Sequence, residues 1–309
     1  MFHESILTAV GQTPLIRLNR LVEPGMAEVY VKYEGVNIGG SIKTRTALNM
    51  LSKAREAGFI HADTHVVEPT SGNQGIGLAL VCAVMGLKLT VIMPDSVSGE
   101  RKKLVEMYGG NVVTVHDAGD IGQCIRDCLN TALNMAKEDE NVFIPQQFTN
   151  PNNPMVHRDT TAQEILSDLP QKIDGFCAGV GTGGTLTGVG EVLKAHYPDI
   201  TIWAVEPENA AILSGGSITT HLQMGIGDGL IPDNLNTAIY THVHIVPDDE
   251  ALTTARRLAR EEGLLCGISS GSNVAAALAM ARLLGEGKRV VTILPDTGER
   301  YFSTPLFEE

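Results

Sequence analysis

Apolar strand-like runs alternate with helical periods along most of the chain. The first series reads "THVVEPT", "GNQGIGLALVCAVMG", "LKLTVIMP", "SGERKKLVEMYG" and "NVVTVHD". The second reads "IDGFCAGV", a helix from Thr185, "ITIWAVEPE" and, near the end, "RVVTILPD". Such alternation predicts parallel βαβ units with right-handed crossovers, and hence an α/β protein of two doubly wound lobes. The Pro- and Asn-rich segment "PQQFTNPNNP" marks the crossing from one series to the other. The predicted division is a smaller lobe over 38–147 and a larger one made of 1–37 and 148–309. The sequence contains no internal repeat and no low-complexity tract.

A helix is also predicted after "NIGGSIKTR". Ser41 suits its N-cap, Ala47, Leu48, Leu51 and Ala54 share one face, and Gly58 suits its end. Lys43 and Arg45 then fall in the first turn, where the helix dipole disfavours cations. The dipole, Arg45 and any desolvation all push the Lys43 ammonium toward a reactive amine. The plainer reading is a surface lysine that tolerates its position.

Composition narrows the function. The chain has 309 residues and 43% hydrophobic content, enough to fill the cores of such lobes. A net charge of −13 with scattered basic residues argues against nucleic acid as a partner. The start lacks a basic segment followed by an apolar block, and no apolar run nears the roughly 18 residues of a membrane span, so a soluble cytoplasmic protein is expected. Of five cysteines, Cys82, Cys177 and Cys266 sit in apolar stretches, and Cys124 and Cys128 lie four apart on a predicted helix. That spacing suits neither a zinc knuckle nor a disulfide framework, so buried free thiols are expected. His242 and His244 share one face of a strand without a second ligand cluster, and no metal site is expected there.

Two further glycine-rich loops carry candidate chemistry. In "PTSGNQG", a strand-to-helix turn, Thr70, Ser71 and Asn73 are candidates for gripping a carboxylate, although Ser-Gly-Asn also makes ordinary turns. In "AGVGTGGTLTG", glycines allow a phosphate to approach the backbone closely, and Thr182 and Thr185 add hydroxyls. The same loop satisfies a dinucleotide fingerprint through Gly179, Gly181 and Gly184. Glu206, about 20 residues on, stands where the ribose acid belongs. A nicotinamide enzyme therefore stands beside any other phosphate-bearing cofactor on this loop alone. "GISSG" matches a nucleophile elbow at Ser269, but no histidine follows His244, which argues against a hydrolase.

Taken together and in order, "GQTPLIRLNRL", "GGSIKTR", "EPTSGNQGIGLAL", "QQFTNPNNP", "GVGTGGTLTGVG", "GIGDGLIP", "EGLLCGISSG" and "LPDTGERYFST" resemble the cysteine synthase and cystathionine β-synthase family of pyridoxal-phosphate enzymes. The resemblance covers nearly the whole chain. It implies a tryptophan synthase β-like fold with the cofactor in the cleft of two doubly wound lobes. It makes Lys43 the Schiff-base lysine and matches Asn73 to the asparagine bonded to the cofactor's phenolic oxygen. Thr70, Ser71 and Gly72, with Gln147, match the groups that bind the substrate α-carboxylate. Gly181, Thr182, Gly183, Gly184 and Thr185 match the phosphate cup, Ser269 faces the pyridine nitrogen, and Gly225 lines the amino-group side of the site.

A hydroxyl facing the pyridine nitrogen leaves that nitrogen largely unprotonated and moderates the electron sink, which favours β-elimination. In the implied mechanism an amino acid with a leaving group on Cβ displaces Lys43 from its imine. The freed Lys43 takes the Cα proton, the leaving group departs to give an aminoacrylate, and a nucleophile adds. Closure of the smaller lobe would keep water out.

Four positions depart from the family pattern: Thr44 replaces the usual Asp, Ile38 a frequent Pro, Gln74 the usual Thr, and Asp228 a small residue or a tyrosine. A carboxylate at Asp228 could act as base for water or a thiol, whereas hydrosulfide needs little help. No appended regulatory domain, haem-binding extension or regulation by a second ligand is expected. The first reading is a cysteine synthase acting on O-acetylserine and sulfide, expected to be a cytoplasmic homodimer with a small amino acid and a small nucleophile as partners. The alternative is a lyase that releases hydrogen sulfide from cysteine, or a cystathionine or lanthionine synthase, with Asp228 as base. Diaminopropionate-type synthesis, in which an amine adds, is a related reading, and a nicotinamide oxidoreductase is the reading from another class.

Overall fold

The computed structural model describes residues 2–70, 72–97, 99–119 and 121–308, apart from the surroundings of Ile121 and Gly122. Its contacts divide into one unit of Met1–Val10 with Lys43–Asn153 and a second of Gly11–Ile42 with Pro154–Glu309. Residues 1–10, read from sequence with the larger lobe, group with 43–153 because the 3-10 turn Ile6–Ala9 packs on the helix Asn73–Met85.

Chain order gives strands β1 (Leu15–Arg17), β2 (Glu28–Tyr33), β3 (His65–Pro69), β4 (Lys88–Pro94), β5 (Asn111–Val115), β6 (Val142–Phe143), β7 (Gly175–Gly179), β8 (Thr201–Pro207), β9 (His242–Val246) and β10 (Arg289–Leu294). The helices are α1 (Lys43–Glu56), α2 (Asn73–Met85), α3 (Gly99–Met107), α4 (Ile121–Glu138), α5 (Asn152–Val156), α6 (Ala162–Asp168), α7 (Gly184–His196), α8 (Asp248–Glu262) and α9 (Ile268–Leu284). A π-helical turn, His157–Thr161, joins α5 to α6.

In the first unit β5, β4, β3 and β6 form a wholly parallel sheet in that order. β4 is buried along nearly its whole length because both faces are covered, as a parallel sheet requires. Ile92 packs with Val67 against Cys124, Cys128 and Ala132 of α4. The neighbouring Val91 points the other way, toward Gly75 of α2.

In the second unit the order is β1-β2-β10-β7-β8-β9. β1 pairs antiparallel with β2, and every other pairing is parallel. Alternate strand residues divide between two cores. Cys177, Trp203, Val205 and Val290 join residues of α8 and α9, whereas Phe176, Ile202, Ala204 and Val291 join residues of α6 and α7. Helices on both faces make this unit doubly wound, as the two strand series predict.

All five cysteines are buried free thiols. Burial pushes Cys82, Cys128, Cys177 and Cys266 up to about 12, which leaves them inert. His244 stacks on Trp203 with ring centroids 5.5 Å apart, and His242 meets the same indole edge-on at 4.7 Å. The pair on β9 thus packs on an aromatic ring.

Candidate functional site

Lys43 is the first residue of α1 and is half-buried, while Thr44, Arg45 and Thr46 beside it are buried. Ser41 precedes the helix in extended backbone and pairs with Asp296 in an isolated antiparallel bridge. The first turn of α1 lies on α2 at Gly77, where an added Cβ would stand 3.0 Å from the Lys43 carbonyl oxygen and 3.2 Å from the Thr44 nitrogen. Only a glycine lets the helices approach this closely at that point.

A short polar network fixes the same turn. Thr46 Oγ1 lies 2.8 Å from the Lys43 carbonyl oxygen and 2.7 Å from the side-chain amide of Gln74. One hydroxyl proton serves only one acceptor, so the amide is assigned with its NH2 donating to Thr46, which in turn donates to Lys43. Gln74 is buried, and this orientation gives a donor role to the nitrogen that otherwise has no partner. The departure from the family's threonine at this position therefore braces the backbone that carries Lys43.

The carboxylate-loop candidates lie where β3 runs into α2. The Thr70 nitrogen donates to the Ile92 carbonyl, and Thr70 Oγ1 accepts from the Gly72 nitrogen at 3.4 Å. α2 begins at Asn73 with Gly72 at its N-cap and no side-chain cap, so N–H groups of its first turn can serve an anion. Ser71 lies outside the described residues. Gln147 is buried, and its turn is tied to the same strand end: Glu68 Oε1 accepts the Gln147 N–H and Oε2 the Gln146 N–H, each at 3.0 Å. Burial pushes the Glu68 carboxyl up to about 7, against the two amides, which lower it. No motif marks Glu68; its one signal in the sequence is a charged residue inside the apolar run "VVEP".

In the second unit β7 runs through the loop Val180–Gly183 into α7. Gly183 has φ 77°, and a Cβ there would sit 2.9 Å from Leu235, so both backbone and space demand glycine. A Cβ on Gly181 would collide with the Gly225 carbonyl, because the Gly227 nitrogen binds the loop by donating to the Val180 carbonyl at 3.0 Å. Asn273 accepts the Gly179 N–H at 2.7 Å and donates to the Ile293 carbonyl at 2.8 Å, locking the loop to the sheet. The N-cap position of α7, Gly183, supplies no side-chain cap. Gly181–Thr185 thus form a cradle of small residues at an open helix N-terminus, with two threonine hydroxyls, and the donor set fits a phosphate dianion. His157, buried in the π-helical turn, lies 3.4 Å by its Nε2 from Thr185 Oγ1 and 2.9 Å by its Nδ1 from Thr161 Oγ1. It is a second residue that no motif flagged.

Ser269 is buried as the second residue of α9, whose N-cap position, Gly267, also lacks a side-chain cap. Gly225 is exposed with φ 96°. Half-buried Asp228 brings its Oδ2 to 3.4 Å from where a Gly181 Cβ would stand, which sets a carboxylate beside the cradle loop. Glu206, the acid of the dinucleotide reading, is committed elsewhere: its oxygens accept the N–H groups of Leu213 at 2.8 Å and Ser214 at 3.1 Å. The fingerprint is matched in spacing while its acid serves as a loop clamp.

Comparison with known proteins agrees with this donor set. A family model for the pyridoxal-phosphate dependent enzymes matches residues 6–296. The chain is 48% identical over 305 residues to the cysteine synthase of Staphylococcus aureus strain Mu50, covering 98% of this chain and 97% of that one. A crystal structure of an O-ureido-L-serine synthase superposes with a TM-score of 0.94 at 41% identity, covering 100% of this chain and 96% of that one. A hydrogen sulfide-producing enzyme from Fusobacterium nucleatum gives 0.92 at 39% identity, covering 97% and 98%.

Proposed function

We propose that this chain, which belongs to the pyridoxal-phosphate dependent enzyme family, works as a cysteine synthase, converting O-acetylserine and sulfide to cysteine and acetate. The observation that carries this reading is the near full-length likeness to a cysteine synthase, joined to a glycine cradle that fits the cofactor's phosphate. Bound pyridoxal phosphate supplies an electron sink that labilises the Cα proton and the Cβ leaving group of an amino acid.

The chain's own residues divide the remaining work. Lys43 would hold the cofactor and, once released, take the Cα proton as general base. Gly181, Thr182, Gly183, Gly184 and Thr185 would hold the phosphate through backbone N–H groups and hydroxyls. Asn73 would bond the phenolic oxygen, and Ser269 would give the pyridine nitrogen a hydroxyl partner. Thr70, Ser71, Gly72 and Gln147 would grip the substrate carboxylate, and Gly225 would line its amino group. Pairing of two copies and a cytoplasmic setting belong to the same reading.

Asp228 supports a second reading, in which cysteine is consumed and sulfide released with water or a thiol as nucleophile. A half-buried carboxylate beside the cradle loop can take a proton from such a nucleophile. One hydrogen sulfide-producing enzyme, 35% identical to this chain, was solved as an aspartate-to-asparagine mutant with an α-aminoacrylate intermediate. Holoenzyme given O-acetylserine, O-phosphoserine, serine or cysteine, then sulfide or a thiol, separates the readings by product mass. Cysteine from O-acetylserine and sulfide as the fastest reaction supports the first reading. Faster sulfide release from cysteine overturns it in favour of the second.

A further inference from the structure

We infer that Glu68 is a positioning residue for substrate binding: from the end of β3 its carboxylate holds the two successive N–H groups of Gln146 and Gln147, and so fixes where Gln147 meets the substrate. The inference rests on the reading of Gln147 as a carboxylate-binding residue.

The turn at 145–150 is not one the chain adopts unaided. Gln146 sits at φ 58°, a left-handed backbone that costs a residue with a Cβ about a kilocalorie or more. Its neighbours hold it there. The Gln146 carbonyl accepts from the Thr149 and Asn150 nitrogens, Asn150 Nδ2 donates to the Pro145 carbonyl, and Asn153 Nδ2 donates to the Gln147 carbonyl. These bonds occupy the carbonyls, and the N–H groups of Gln146 and Gln147 turn inward to Glu68. Two adjacent donors need two coplanar acceptors, which a carboxylate supplies and a glutamine does not.

Glu68 is about 1% exposed, and burial works against its charge. Glu206 clamps the Leu213 and Ser214 N–H groups of the loop that follows its own strand in the same two-pronged way, whereas Glu68 reaches a turn far along the chain.

The test is steady-state kinetics of Glu68→Gln and Gln147→Ala holoenzymes with O-acetylserine and sulfide, alongside amide hydrogen exchange of the wild-type holoenzyme over 145–149. The expected result for Glu68→Gln is a roughly tenfold rise in KM for O-acetylserine with kcat held within about threefold and cofactor content unchanged. A purely structural role would lower active enzyme or kcat and leave that KM alone; such a result overturns the inference. A KM that rises in Gln147→Ala but not in Glu68→Gln overturns the inference and leaves the reading of Gln147 standing. A KM unmoved in Gln147→Ala overturns both. If Glu68→Gln does not fold, the wild-type exchange decides: protected Gln146 and Gln147 amides support the inference, and exchange at the rate of an open loop overturns it.

Discussion

An added Cβ on Gly77 would stand 3.0 Å from the carbonyl oxygen of Lys43, so α2 meets α1 at the turn that carries the candidate catalytic amine. A methyl group there has backbone, not a flexible side chain, to push against. Gly77→Ala is expected to destabilise the protein by about 1–2 kcal/mol through overpacking. A thermal melt should show Tm lower by several degrees, and an unchanged Tm would mean the helices separate freely.

Lys43→Ala removes the residue proposed to hold the cofactor and move the Cα proton. Turnover of O-acetylserine with sulfide is expected to fall by roughly a thousandfold or more. Product analysis by mass over a long incubation measures this, and turnover near wild type would remove Lys43 from the mechanism.

Gly183 combines a left-handed backbone with a Cβ position 2.9 Å from Leu235. Gly183→Ala is expected to strain the cradle by about 1–2 kcal/mol and weaken cofactor affinity roughly tenfold. Resolution of the enzyme followed by titration with pyridoxal phosphate reads the change. Equal affinity in the variant would show that the loop does not hold the phosphate.

Asp228→Asn removes the base proposed for protonated nucleophiles and leaves the fold's other donors in place. Turnover with water or a thiol is expected to drop by about a hundredfold, with sulfide addition little changed. Full turnover with every nucleophile would exclude the role.

Glu68 gives stability a pH dependence of known sign. Its carboxyl is raised from 4.5 to about 7 in the folded protein, so the protonated form is the one that folding favours. That contribution, about 3 kcal/mol, is full below the unfolded value and is lost as pH rises through about 7. Urea unfolding should therefore show the wild type losing stability relative to Glu68→Gln from pH 5 to pH 8. A difference that stays constant across that range would mean the carboxyl titrates normally.

Much of the architecture was legible from local pattern. Strands such as β4 and β8, buried on both faces, appear as apolar runs, and helices such as α2 begin at glycine-rich turns, because burial and backbone freedom act on neighbours in the chain. The motif order carried the family, and the threonine-glycine loop carried the proposal of a phosphate cradle. The motif pattern showed that Gln74 departs from it, but only the packing of α1 on α2 shows that this glutamine braces Thr46 and the Lys43 carbonyl.

What the sequence determined by itself was the alternation of strands and helices, the glycine loops and the residue types proposed for chemistry. Tertiary structure decided how the acids are used. Glu206 has the spacing of a ribose ligand and clamps residues 213 and 214, while Glu68, which no motif singled out, clamps residues 146 and 147. The physical reason is range. Periodicity and capping are set within a few residues, whereas a buried carboxylate takes its partners from whatever backbone N–H groups the fold brings to it, and for Glu68 those lie 78 and 79 residues away.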